Sequence, residues 1–550
     1  MSAVIASPDR RSPLASARAL AAATPDGRDR YVDLLRVGSM LVVVLGHWLM
    51  TVATWQDGRL TGGNALTSVP GLWLATWVLQ VMPVFFFVGG FSNLVTVEAV
   101  TRRGGSWVEF VTGRAARLLR PTVAFVAVWL ALPPVLGLLG VPDPAVHAAA
   151  RLVPQPLWFL GVYLIVVALA PLMVRMHRRY GLRVPVALAL GTVAADLARL
   201  GAGLTGAGYL NVVLVWLFAH QLGFLYADGT LTRCSRRVHA TMALLGLGAM
   251  AVLTASGRYP ASMVGLPGAE ASNMNPPSAC IIALTVWLTG LVLLARDVAS
   301  RWLARPRAWT AVVAAGSVVM TMFLWHLTAL VAVVAALGVA GVRQPAPGSA
   351  AWWLLRPAWL AALTAALLPL LLAFARFERP APLNRARTAG RRGRLAAGPE
   401  SRSGTHGGRV LGFVPPQPAR SRRRLLAGAL GMFLVTLGIL GFVVGGFHPL
   451  LGADGGMLVV FRVDAAQSVV HLALGVLLLR AVRTGAAVAP APWLLVGSVC
   501  AAVALRGLLG PEGAPLVPLA ANGPDGVLHA ALAALALLGA ARTRRVSRSP

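Results

Sequence analysis

The sequence contains no lysine, only three cysteines and few charged residues of any kind. Charged side chains make up 12% of its 550 residues, whereas they make up about 25% of a soluble domain. Cys234, Cys280 and Cys500 are far apart and show neither a disulfide framework nor a metal-binding spacing. Because 57% of the residues are hydrophobic, the composition excludes an ordinary soluble domain and indicates a polytopic membrane protein.

A cleavable signal peptide is not visible at the start of the chain. Residues 1–30 are polar and rich in Arg and Ala, and they contain no short apolar core before a cleavage site. We expect residues 1–30 to form a disordered cytoplasmic tail.

Hydrophobic runs that are long enough to cross a bilayer as helices recur along the chain. Fourteen are found, at 31–54, 72–97, 119–140, 157–174, 184–200, 209–227, 238–256, 278–295, 310–341, 357–375, 425–446, 457–479, 492–510 and 525–541. The sequence therefore predicts an all-α polytopic membrane protein. We expect a ten-helix domain at 31–378 and a four-helix C-terminal unit at 425–545. Between them, the composition of residues 379–424 predicts a basic, disordered cytoplasmic linker that can lie on anionic membrane lipid.

The positive charge of the chain has two explanations. All 49 basic residues are Arg, and the formal net charge is +31. Nucleic-acid binding explains such charge in a soluble protein, but membrane proteins concentrate basic residues on their cytoplasmic connections. With a cytoplasmic N-terminus, only eight of the 49 fall on outer connections. We therefore expect a cell-membrane protein with both termini in the cytoplasm and no nucleic-acid partner.

The first hydrophobic run carries two ionisable side chains, Arg36 and His47. Eleven steps along an α-helix bring the chain back to within about 20° of the same face and about 16 Å further along the axis. Ionisable groups at that depth are costly and usually face a polar interior. Asp33, one turn before Arg36, can pair with the guanidinium and lower the cost of holding it there. The pattern indicates a site along this face.

The second run reads MPVFFFVGGFSN at 82–93. Pro83 and the pair Gly89 and Gly90 weaken an apolar helix and allow a kink or a close helix contact. Two interpretations stay open, namely simple packing or one wall of a substrate cavity.

Three arginines at a spacing of three follow this helix, in GRAARLLRP. On a helix, Arg114, Arg117 and Arg120 form a short cationic ridge. Guanidinium groups match phosphate oxygens, so the ridge suits a nucleotide or a CoA phosphate. Ordinary anchoring of a cytoplasmic helix end explains the same residues.

Further histidines lie within later runs. His326, in FLWHLTAL, is either a structural histidine or part of the site. In the C-terminal unit, Asp464 precedes His471 and Asp525 precedes His529, at spacings that keep each pair on one helix face. They suggest a metal site or polar groups that pack together at helix starts. We favour the second interpretation and predict no metal.

Together these motifs resemble the acyltransferase-3 family of integral membrane acyltransferases, particularly its actinobacterial members. The resemblance covers about residues 31–378. It rests on the D-x-x-R of Asp33 and Arg36, the R-x10-H that ends at His47, and the blocks at 82–93, 117–121, 158–164, 273–278 and 323–330. The C-terminal unit is similar to small four-helix membrane domains of unknown function.

The resemblance implies transfer of an acyl group, commonly acetyl, from cytoplasmic acyl-CoA to a hydroxyl of a cell-envelope glycan or a lipid-linked sugar outside. No bound cofactor is implied, since acyl-CoA is a substrate. By this resemblance His47 is the catalytic histidine, Arg36 is its essential partner, and Arg117 and Arg120 engage the donor. Arg114 is an additional donor-binding candidate. Asp33 and His326 are expected to support the site.

Several alternatives stay open. A neutral His47 can act as a general base on the acceptor hydroxyl or can carry the acyl group covalently. Arg36 can stabilise the developing oxyanion or hold a CoA phosphate. A chain of fourteen helices is also compatible with a transporter or flippase for a lipid-linked or acylated molecule, although no inverted repeat is apparent. The C-terminal unit can be a partner-binding or scaffolding module, or it can share in the active site.

Overall fold

A computed structural model of the chain describes residues 13–56, 59–266, 268–269, 271–378, 418–450, 455–509 and 521–546. In these residues, 13 helices are long and apolar enough to cross a membrane, nine before residue 378 and four after residue 418. The prediction of an all-α polytopic membrane protein is confirmed. The predicted linker at 379–424 lies mostly outside the described residues, and its last part, from Pro418, already belongs to a helix.

The helices before residue 378 are α1 (Pro13–Ala22), α2 (Arg30–Met50), α3 (Ala65–Ser68), α4 (Thr76–Leu79), α5 (Met82–Arg102), α6 (Trp107–Leu138), α7 (Asp143–Leu152), α8 (Leu157–Tyr180), α9 (Arg183–Leu200), α10 (Asn211–Ala227), α11 (Arg236–Ala255), α12 (Ala279–Leu303), α13 (Pro306–Gly316), α14 (Val319–Val339), α15 (Ala350–Leu354) and α16 (Arg356–Phe374). After residue 418 they are α17 (Pro418–Gly445), α18 (Ala465–Thr484), α19 (Ala491–Leu509) and α20 (Gly523–Val546). The described residues also contain two antiparallel strand pairs, β1 (Thr51–Gln56) with β2 (Arg59–Asn64) and β3 (Gly456–Leu458) with β4 (Phe461–Val463).

One of the fourteen predicted segments, 184–200, is helix α9, which is not among the 13. It holds Arg183, Asp196 and Arg199 within 18 residues. Asp196 accepts hydrogen bonds from Asn211 at the start of α10 and from the Ala279 amide at the start of α12. Its buried carboxylate therefore ties α9 to the starts of α10 and α12.

Three predicted elements differ from the structure near their ends. The run at 72–97 is interrupted at Gln80, and α5 starts just before Pro83, whose missing N–H is tolerated in a first turn. The run at 310–341 is two helices, α13 and α14, separated at Ser317. Part of the predicted disordered tail is helix α1, which packs its buried Ala21 against Trp309.

Glycines set the closest helix contacts. A Cβ on Gly90 of α5 would lie 1.9 Å from the His220 carbonyl oxygen of α10, and one on Gly223 would lie 2.0 Å from the Phe87 carbonyl oxygen. The two backbones therefore touch, and no larger residue fits between them. For Gly90 the packing interpretation is the one that the structure supports.

The two ends of the helix bundle differ in character. The basic end is where α2 and α6 begin and α5, α8 and α10 end, and it includes the ion pair of Arg178 with Glu98 at 3.1 Å. The opposite end, which we call the hairpin end, carries β1 and β2 directly after α2. Helices α2 and α14 both run from the basic end to the hairpin end.

The C-terminal unit packs directly on the body. A Cβ on Gly161 of α8 would lie 2.6 Å from Leu440 of α17, so these helices are in tight contact. After α17, the Phe447 amide donates to the Ala150 carbonyl at 3.1 Å. The buried Phe447 ring stacks on Trp129 of α6, with 6.1 Å between the ring centroids. Body and C-terminal unit therefore share one hydrophobic core.

Candidate functional site

Helix α2 places Arg36 and His47 as the sequence predicts. Asp29 caps its first turn by accepting from the Val32 amide, and an extended Thr51 ends the helix after His47. The predicted ion pair is present, with the Arg36 guanidinium 3.0 Å from the Asp33 carboxylate. Asp33 also accepts from Arg28. Asp33 thus holds two arginines at the basic end, which keeps Arg36 oriented without a full buried charge.

His47 meets a second histidine across the helix interface. His326 of α14 is fully buried, and its Nε2 lies 3.1 Å from Nδ1 of His47, with 5.0 Å between the stacked rings. The two residues are 279 positions apart in the sequence. The structure therefore brings His326, the supporting candidate, into direct contact with the catalytic candidate His47.

The hydrogen-bond partners indicate which nitrogens carry protons. The Phe323 carbonyl can only accept, so Nδ1–H of His326 donates to it, at 2.6 Å. A neutral His326 then has a lone pair on Nε2, and this nitrogen accepts a hydrogen bond from Nδ1–H of His47. His47 in this tautomer keeps a free lone pair on Nε2. That nitrogen is the atom that can take a proton or attack a carbonyl.

Indole groups hold the backbone around this pair. Trp48 donates to the His326 carbonyl at 2.9 Å, and Trp359 of α16 donates to the Trp48 carbonyl at 2.9 Å. Trp129 of α6 donates to the hydroxyl of Thr328, two residues beyond His326, at 3.0 Å. These bonds connect α2, α6, α14 and α16, so the two imidazoles are presented by a rigid frame.

The start of α14 forms the other half of the site. Glu378, which follows α16, accepts from the backbone amides of Met320 and Thr321, at 3.1 and 2.9 Å. A carboxylate at this position satisfies the first amides of the helix and complements its dipole. Burial raises the pKa of the Glu378 carboxyl, and these hydrogen bonds and nearby Arg36 oppose that shift. The sequence offered no sign of Glu378, because it lies 342 positions after Arg36.

The break between α13 and α14 makes room for Arg36. A Cβ on Gly316, the last residue of α13, would lie 3.5 Å from a terminal nitrogen of Arg36. Nε of Arg36 is buried and has no hydrogen-bond partner among the described residues. A buried donor without a partner is costly unless a ligand or water supplies one. The Arg36 guanidinium therefore has a donor available for a substrate oxygen.

The three arginines of α6 are not equivalent. Arg114 donates to the Ser92 carbonyl, the Ser92 hydroxyl and the Thr96 hydroxyl of α5, at 2.6, 2.8 and 2.7 Å. It fastens α6 to α5, and its buried Nε has no hydrogen-bond partner among the described residues. Arg117 and Arg120 are exposed on the same helix. Arg36 and Arg117 both lie close enough to Arg114 to repel its charge.

These positions gather most of the predicted residues into one site. Arg36, Arg114 and Arg117 form a cationic group near the basic end, and His47 with His326 lies about 16 Å further along α2. Arg120 lies one turn beyond Arg117 on α6. Asp33 orients Arg36 rather than facing the histidines. The arrangement offers cations for a polyanion at one end and a neutral imidazole lone pair deeper in the bundle.

A second histidine pair lies in the C-terminal unit. Nε2 of His471 is 2.7 Å from Nε2 of His529, and both rings are buried and stacked. Asp464 instead caps α18 by accepting from the Gln467 amide, and Asp525 accepts from the Arg462 amide. In the part of the chain that the structure describes, no group of three or more His, Cys, Asp or Glu is placed to hold a metal.

Comparison with known families identifies the family of the chain. The family model Acyl_transf_3, described as an acyltransferase domain, matches residues 29–376. The chain belongs to this acyltransferase family. A second model, a domain of unknown function (DUF4383), matches residues 424–541. Neither the curated proteins nor the solved structures yield a match to the chain. The chain is therefore a multi-pass membrane acyltransferase with a C-terminal domain whose role no comparison states.

Proposed function

We propose that this acyltransferase moves an acyl group, most simply acetyl, from acyl-CoA at the basic end to a hydroxyl of a glycan or lipid-linked sugar at the hairpin end. The observation that carries the proposal is the His47–His326 pair, because it leaves Nε2 of His47 neutral and unprotonated in a membrane protein of an acyltransferase family. Arg36 lies on the same helix with a free donor for a developing oxyanion or a donor phosphate.

The orientation follows from the distribution of arginine. The basic end collects the arginine-rich connections, and such connections remain in the cytoplasm. The proposal therefore places the basic end and both termini in the cytoplasm of the cell membrane. Acyl-CoA is cytoplasmic and polyanionic, so it suits the exposed Arg117 and Arg120.

The chemistry uses one nitrogen. Nε2 of His47 accepts the proton of the acceptor hydroxyl while the hydroxyl oxygen bonds to the thioester carbonyl carbon. The carbon–sulfur bond then breaks, and His47 returns the proton to the leaving thiolate to give free CoA. If His47 carries the acyl group instead, the same Nε2 attacks the thioester carbonyl and expels the CoA thiolate. The acceptor hydroxyl then attacks the acyl-imidazole, which frees the imidazole, and the hydroxyl proton neutralises the thiolate to give free CoA. Rapid-quench labelling with radioactive acetyl-CoA separates the two routes, since only the second labels the protein.

The experiment is transfer from radioactive acetyl-CoA to envelope material by full-length protein in proteoliposomes. His47→Ala is expected to lower the rate by about 10²- to 10⁴-fold, the usual contribution of a general base. His147→Ala, on α7, is the matched control. A correctly folded His47→Ala protein with wild-type transfer contradicts the assignment. Mass spectrometry of envelope glycans from cells with and without the protein then names acyl group and acceptor. Transport of a glycan without consumption of acyl-CoA contradicts the enzyme proposal.

A further inference from the structure

A polar cavity of about 520 Å³ lies between the body and the C-terminal unit at the basic end. One wall is the turn from α5 into α6, with Arg103, Gly104 and Ser106. The other wall is Arg424 at the start of α17 and Arg483 at the end of α18. Its volume falls within the range of small-molecule sites, about 300–1,000 Å³.

We propose that this cavity holds the phosphates of the acyl donor's nucleotide end, and that Arg424 and Arg483 of the domain of unknown function are donor-binding residues. This inference rests on the proposed use of acyl-CoA. It assigns the C-terminal domain a part in substrate binding.

The charge of the cavity favours an anion. Three guanidinium groups line it, and one carboxylate, Glu109, pairs with Arg103 at 2.9 Å. Arg424 donates once, to the Val482 carbonyl at 3.3 Å. Within the described residues, neither Arg424 nor Arg483 forms an ion pair with a carboxylate. Two planar forks without a carboxylate partner, facing one cavity, match phosphate oxygens.

The cavity lies against the same face of α6 as Arg117 and Arg120. Ser106, Glu109 and Gly113 line the cavity, and Arg117 and Arg120 fall on the same helix face within about 80° of arc. A Cβ on Gly113 would have nothing within 4 Å, so the space in front of the helix is open. Seven residues of helix from Gly113 to Arg120 rise about 10 Å. A nucleotide with phosphates at both ends spans such a distance.

The lining selects a nucleotide rather than a lipid headgroup. It consists of Arg, Gly, Ser, Thr and Glu residues. A headgroup enters with its acyl chains, and these need apolar walls. Next to the cavity, α17 also packs on α6, since a Cβ on Gly428 would lie 3.6 Å from the Val108 side chain.

The test uses the full-length protein in nanodiscs of neutral phosphatidylcholine. The double variant Arg424→Gln with Arg483→Gln removes both guanidiniums. The matched control, Arg422→Gln with Arg480→Gln, removes the same charge from exposed positions of the same helices that do not line the cavity. A second variant, Gly113→Leu, fills the open space without changing charge and suits an α-helix.

Two donors separate the outcomes. Acetyl-CoA has the nucleotide end, and S-acetylpantetheine has the same thioester without it. We expect the double variant to raise KM for acetyl-CoA by about 10- to 100-fold, close to the loss of one full charge-assisted hydrogen bond, because both guanidiniums are on exposed residues. KM for S-acetylpantetheine is expected to stay unchanged. Gly113→Leu is expected to act in the same direction. Equal KM for acetyl-CoA in variant and wild type overturns the inference. An equal loss with both donors, or a loss that appears only with anionic lipid present, also overturns it.

Binding of adenosine 3′,5′-bisphosphate, measured by calorimetry, is independent of turnover. We expect the double variant to lose it and the control to keep it. If the wild type does not transfer acetyl from acetyl-CoA, the proposed function fails, while selective loss of bisphosphate binding still supports the phosphate site. If the wild type does not bind the bisphosphate, the phosphate site fails, whatever the turnover shows.

Discussion

Replacing His326 tests whether the histidine pair sets the protonation state of His47. His326→Leu fills the buried space but removes the side-chain acceptor for Nδ1–H of His47, which lies 3.1 Å from Nε2 of His326, and leaves the Val43 carbonyl as the remaining partner of His47. Weakening the hydrogen bonding of a buried donor is costly, up to about 1–3 kcal/mol where no good partner remains. The His47 ring can avoid this cost by rotating, which moves Nε2 away from its position, or by carrying its proton on Nε2 instead of Nδ1. Either change removes the free Nε2 lone pair from the site.

The expected effect follows from that cost. Each 1.36 kcal/mol corresponds to a tenfold change, so about 1–3 kcal/mol lowers kcat by about 5- to 150-fold. KM for the donor is expected to stay unchanged, because the cationic group lies about 16 Å away along α2. His326→Gln keeps a side-chain carbonyl that can accept from Nδ1–H, so it is expected to retain more activity than the Leu variant.

The assay is steady-state transfer from radioactive acetyl-CoA by purified protein in proteoliposomes, with circular dichroism to verify helix content. Wild-type kcat in a folded His326→Leu protein would refute the reasoning. Equal losses in the Leu and Gln variants would show that something other than a proton acceptor is needed at this position.

Two further predictions concern the supports of α14. Burial raises the pKa of Glu378 above its ordinary 4.5, so the folded protein binds this proton more tightly than the unfolded chain, and stability contributed by the group falls as pH rises through that range. The Tm of Glu378→Gln is therefore expected to rise relative to the Tm of the wild type as the pH increases from 4.5 to 8. A difference that shrinks over this range contradicts the raised pKa. Phe447→Ala is expected to cost about 3 kcal/mol, because a buried aromatic side chain is removed from the Trp129 contact. It should lower Tm in detergent more than Phe433→Ala, whose ring on α17 is 45% exposed, and equal shifts would argue against a structural role for Phe447.

The sequence predicted what lies within one helix. Arg36 and His47 share a face because helix geometry is local, and Asp33 pairs with Arg36 because it is one turn away. The ridge on α6 was also recognised from spacing. However, Arg114 is hydrogen-bonded to Ser92 and Thr96 of α5. Spacing says nothing about which neighbouring helix accepts a guanidinium, so the ridge could not be divided into structural and exposed arginines.

Contacts between helices that are far apart in the chain could not be predicted from the sequence. The partner of His47 is 279 positions away, and the acceptors for the α14 amides come from Glu378. The break at Ser317 could not be predicted either, because residues 310–341 are apolar throughout and hydropathy does not show where one helix ends and the next begins. The break matters because it places Arg36 beside Gly316. The site thus depends on tertiary packing that only the folded chain specifies.

The shared core decides how the C-terminal domain should be tested. Deleting it would expose Trp129 and Phe125 of α6, which pack on Phe447, and would remove one wall of the polar cavity. Phe125 in turn contacts Trp325, the neighbour of His326. A truncated protein would therefore lose activity whether the domain binds substrate or only braces the bundle. Point substitutions separate these roles, since the loss of Phe447 acts on stability and kcat, and the loss of Arg424 with Arg483 acts on KM for a donor that carries phosphate.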